Sequence, residues 1–122
     1  MSDSMSETPE LEASAKLILD LDRLIQAMRS SVRPTKPWQR SVLGHLADLD
    51  RQVEVLRLAI MLERNDSEIM QAAEGLVSTL ALRDAQLARG RADETTRAAF
   101  KIALGIARRI PDTLTKLAKT IE

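Results

Sequence analysis

Very few side chains in this chain have the chemistry of a reactive site. His45 is the sole histidine and there is no cysteine. Proton transfer near neutral pH therefore rests on one imidazole, and thiolate nucleophiles and thiolate metal sites are excluded. Arg40 precedes His45 by five residues. On one continuous helix, however, five residues turn two side chains about 140° apart. Serine or cysteine nucleophiles set with histidine and an acid, phosphate-cradling glycine loops and paired catalytic carboxylates do not appear in recognisable form.

The run Arg40-Ser41-Val42-Leu43-Gly44-His45 resembles the Arg-x4-His signature of four-helix ribonucleases of the HEPN type. That resemblance implies a ribonuclease with Arg40 and His45 as its working pair. The chain departs from the pattern at Ser41, where that family usually carries a polar amide or an acid. A histidine phosphotransfer domain is a second four-helix design with one exposed histidine. Here Leu46, Ala47, Asp48 and Leu49 follow His45, so the expected lysine and glycine are missing and an acid would repel phosphate. The Glu-x-x-His pattern of ferritin-like metal proteins is absent, and a lone histidine needs carboxylate help to hold an ion. The expectation is no enzyme, no cofactor and no metal.

The elements that would position any site are helices. Apolar residues spaced alternately three and four apart recur in four segments with a turn signal between each pair, which keeps one face of each helix against its neighbours. Leu11, Ile18, Leu21, Ile25 and Met28 form the first seam, and Leu46, Leu49, Val53, Leu56 and Ile60 the second. Thr8 and Pro9 open the first helix, which runs to about Val32. The second spans about Pro37 to Arg64 after a proline-stiffened connector. Asn65, with Glu68 three residues on, opens a third that runs to Arg89, and Gly90 reads as its left-handed C-cap. Asp93 caps the fourth, whose seam follows Ala99, Ala103, Ile106, Ile110, Leu114, Leu117 and Ile121. Pro111 inside it predicts a kink or break near Ile110. Loops fall near 33–37, 65–67 and 90–93.

The expected fold is all-α, an antiparallel up-down-up-down four-helix bundle, because short connections force sequential helices to lie antiparallel. Two long hairpins completing a core by dimerisation are the alternative. Residues 1–8 read as a flexible tail and 9–122 as a single domain. At 122 residues the chain can bury roughly two thirds of its unfolded surface without staples. The polar, acidic start lacks a leader's basic and apolar regions, and no run approaches the roughly 18 apolar residues of a spanning helix. No membrane partner is expected and the address reads as cytoplasmic, while the richness in Ala and Arg fits a bacterium with a GC-rich genome.

Charge and surface patterning point to contact surfaces. The 18 basic and 18 acidic residues cancel, yet 89–121 carries eight bases against three acids. Arg97, Lys101, Arg108 and Lys119 read as a basic ridge opposite the fourth seam, suited to an acidic partner or a phosphate backbone. One Trp and one Phe give no stacking platform, so nucleic-acid contact there would be weak and free of sequence preference. Arg83 falls on the third helix's core line, either paired with Asp84, Asp20, Asp22 or Asp48 or placed where the seam opens to solvent. On the second helix Val55, Leu58 and Leu62 fall opposite the seam, which predicts a second contact surface. The leading expectation is a non-catalytic helical interaction protein (an adaptor, chaperone, immunity protein or complex subunit) that meets a partner protein or a second copy of itself. A nucleic-acid-associated subunit using the basic ridge is the alternative.

Overall fold

The computed structural model describes the backbone from Pro9 to Ile121 and the side chains from residue 12 to residue 116. Thr8, Leu11, Leu117, Lys119, the side chain of Ile121 and the 1–8 segment lie outside that range. Within it the chain forms four helices and no strand: α1 (Pro9–Ser31), α2 (Pro37–Met61), α3 (Asp66–Arg89) and α4 (Glu94–Ile121). Each packs on its chain neighbours and α4 closes the ring against α1. The result is a four-helix bundle in which α4 is packed most extensively and the α1–α2 seam is the sparsest.

The three-and-four spacing does its work in the core. Leu21 and Ile25 of α1, Leu46, Leu49 and Leu56 of α2, Leu76 and Leu80 of α3, and Phe100 and Ile110 of α4 are fully enclosed. The expected helix starts also form. Asn65 Oδ1 accepts the Glu68 N–H at 2.8 Å, and Asp93 Oδ1 accepts the Thr96 N–H at 2.8 Å. The Thr96 hydroxyl and N–H both hold the Asp93 carboxyl below its usual range, since hydrogen bonds to a carboxylate favour its charged form.

Three details differ from expectation. First, α2 stops at Met61 rather than Arg64. The Glu63 N–H donates to the Ile60 carbonyl at 3.1 Å and the Arg64 N–H to the Ala59 carbonyl at 2.9 Å, with Glu63 at φ 53°. This is a Schellman ending built on a residue with a Cβ, so no glycine marks it in the sequence. Replacing Glu63 with Gly is expected to raise the unfolding free energy by about 1 kcal/mol in a urea titration, because the left-handed conformation is costly for an L side chain. A loss of stability would contradict that ending.

Second, Gly90 is the C-cap of α3 but is extended, at φ −101° and ψ −158°. It is not left-handed. Its N–H reaches the Leu87 carbonyl, and the chain leaves the helix directly. Third, the buried residues of α4 are Thr96, Phe100, Ala103, Leu104, Ala107, Ile110 and Leu114, while Ala99 and Ile106 are only half-buried. Phe100 and Ala107 shift the inward face by about 50° from the expected seam, at roughly 100° per residue. Pro111 lies inside α4, which continues unbroken across it.

Candidate functional site: the outer stripe of α2 and its groove

α2 is enclosed by α1 on one flank and α3 on the other, and its core line leaves the opposite side to solvent. Val55, Leu58 and Leu62 occupy that side, 58%, 43% and 61% exposed. Burying each such side chain fully is worth about 1.5–3 kcal/mol. Met61 of α2 and Leu19 of α1 are also exposed, so five of the seven exposed large hydrophobics among the described residues lie on these two helices. Leu82 and Ile102 are the other two, on α3 and α4.

A cavity of about 290 Å³ opens between α1 and α2 here, lined by Ala15, Ile18 and Leu19 on one side and Arg57, Ile60 and Met61 on the other, with Asp22 at its edge. The seam is held further along by Asp50, which accepts from Arg29 at 2.8 Å and from Gln26 at 2.7 Å. Those groups are well exposed, so the pairing sets orientation more than stability. The small Ala15 leaves the groove open. Sequence reading missed Leu19 and Met61 because each lies off its own helix's seam and they line one groove only when α1 and α2 are side by side.

The other singled-out residues go to separate places. Arg40 is exposed, and its Nη1 donates to the Thr35 carbonyl at 3.1 Å and the Pro34 carbonyl at 3.5 Å, in the α1–α2 connection. His45 is half-buried and faces the field of Arg83 and Asp48. The structure does not bring Arg40 and His45 to one point. Burial, then the Arg83 cation, lowers the His45 pKa, partly offset by Asp48.

That shift has a defined consequence. The unfolded chain binds the proton near pH 6.5, whereas the folded chain resists it to lower pH. Stability from His45 is therefore whole above about 6.5 and falls as pH drops through that value. Urea midpoints at pH 7.5 and 5.5 should show the loss in the native chain and a smaller one in His45→Gln. A midpoint that rises on acidification would contradict it.

Arg83 is held between the two readings offered for it. Its side chain is 25% exposed and sits 3.8 Å from Asp48 of α2, with Nη1 donating to Gln86 Oε1 at 3.1 Å. Its Nε is buried without a hydrogen-bond partner. Asp48 also accepts from Arg51, so one carboxylate serves two cations.

Of the four basic residues read as a ridge on α4, Arg97 and Lys101 border α3. The shift of the inward face toward Phe100 puts Arg97 and Lys101 on the flank that meets α3. Arg97 is half-buried with its Nε unpaired, and Lys101 Nζ lies 3.5 Å from Asp84. Asp84, Glu94, Arg97 and Lys101 line one mixed-charge cleft. Arg108 is exposed, and the Lys119 side chain lies outside the described residues.

No group of three or more potential metal ligands occurs among the described residues, and no helix there is long and apolar enough to cross a membrane. No protein-family model, curated protein or solved structure matches this chain.

Proposed function

We propose that this chain is a non-catalytic helical interaction protein, cytoplasmic in its setting, that works by presenting the outer face of α2 to a partner protein or to a second copy of itself. The observation that carries this reading is the exposure of Val55, Leu58 and Leu62 along one line of α2, beside a groove between α1 and α2 lined by the exposed Leu19 and Met61. A chain that works alone gains solubility from charges at such positions, and exposed apolar surface of this kind marks contact surfaces. The test is Leu58→Glu with Leu62→Glu. Association should be lost while the helical content stays. Unfolding of the variant would assign the stripe to the domain's own core, and intact association would put the interface elsewhere.

The finer architecture we infer is up-down-up-down, with α4 bent at Pro111. Support for the topology comes from residues near the start of α1 lining a groove with the end of α2. Asp48 in the first half of α2 meets Arg83 in the second half of α3, and Lys101 early in α4 meets Asp84 late in α3. Support for the bend is chemical: Pro111 has no N–H to give the Ala107 carbonyl, and its ring crowds that turn. The nucleic-acid reading has less behind it, because Arg97 and Lys101, two of its four cations, share a cleft with Asp84 of α3 and Glu94 of α4.

A further inference from the structure

We propose that the occupant of the α2 stripe is a second copy of this chain, packed antiparallel about a two-fold axis near Leu58. This deepens the interaction reading above and rests on it. Arg51, Val55, Leu58 and Leu62 continue one line at spacings of four, three and four, about 16 Å long on a helix. The line is not symmetric in charge. Its N-terminal end is Arg51, whose side chain is 74% exposed even while it touches Asp48. Just beyond its C-terminal end stand the exposed acids Glu63, Asp66 and Glu68, which outnumber the one exposed base among them, Arg64.

An antiparallel pair sets Leu58 against the partner's Leu58 and Val55 against the partner's Leu62. It also carries each Arg51 toward the acidic end of the other copy, and the two-fold axis makes that contact twice. A parallel pair would set Arg51 on the partner's Arg51 and acids on acids, the arrangement that like-charge repulsion selects against. The formal net charge of zero removes the long-range repulsion that would oppose self-association. The surface is thus complementary to itself in one orientation.

The chain has no cysteine, so single cysteines report the geometry directly. Under mild oxidation of the full chain, Leu58→Cys should form a disulfide-linked dimer with itself, because a residue on the axis meets its own copy within disulfide reach. Val55→Cys mixed with Leu62→Cys should cross-link better than either alone. Arg51→Glu should slow both reactions, and adding Asp66→Arg should restore them in part. Efficient self-linking of Val55→Cys and of Leu62→Cys would overturn the antiparallel register. Cross-linking of Leu58→Cys no faster than of Ile102→Cys on α4, or a native chain that sediments as a monomer up to millimolar concentration, would overturn the second copy. In that last case the interaction reading stands or falls separately, on whether the stripe cross-links to a different protein in the native host.

Discussion

Replacing Phe100 with Ala lowers the unfolding free energy by about 3 to 5 kcal/mol, the cost of emptying a buried aromatic site that its neighbours cannot refill. Phe100 is fully enclosed and is the chain's one phenylalanine. On the inward side of α4 Phe100 is followed by Ala103 and Ala107, too short to move into the space, and by Leu104, which already holds its own buried place in the core. α4 contacts both α1 and α3, so the void would open in the most heavily packed part of the bundle. A loss of that size approaches the whole stability of a small domain, about 5 to 15 kcal/mol. Urea denaturation followed by circular dichroism measures it. A change under about 1 kcal/mol would mean that α4 does not turn this side chain inward.

Changing Leu58 and Leu62 together to Glu has the opposite profile, a small effect on folding and a large one on association. Both side chains are substantially exposed in the isolated chain, and surface substitutions of that kind usually shift stability by no more than about 0.5 kcal/mol each. At an interface Leu58 lies at the proposed axis and Leu62 packs against the partner's Val55, and truncating a well-buried anchor costs about 2 kcal/mol or more. Two carboxylates would also have to be stripped of water there. The expected weakening is at least a hundredfold, about 3 kcal/mol, read by sedimentation of native and variant chains. The unfolding midpoint should stay close to native.

The legible parts of this fold are those fixed by local chemistry. Asn65 with Glu68, and Asp93, announce their helices because a side-chain oxygen there satisfies a free N–H. The α1 and α2 seams place Leu21, Ile25, Leu46 and Leu49 in the core because three-and-four spacing permits only one inward face. The end of α2 was less legible, since a left-handed residue without glycine carries no signal and Glu63 looks like any exposed acid. The phase of α4 was misread for a different reason. Alanines at 98, 99, 103 and 107 blur the seam, and one residue, Phe100, decides the rotation. With that rotation Arg97 is half-buried and Lys101 lies beside Asp84. Val55, Leu58 and Leu62 were legible because they oppose a strong seam. Leu19 was not, because it lines the groove with Met61 only across a helix pair.

The central claim, that the outer face of α2 is the working surface, is tested most directly by a photo-crosslinking side chain placed in the full chain in its native host. Val55 on α2 and Ile102 on α4 are equally exposed, at 58% each, so general stickiness of exposed apolar positions affects both alike. The account predicts a discrete cross-linked product from position 55 and none from position 102. Equal labelling from the two positions, or a product from 102 alone, would contradict it.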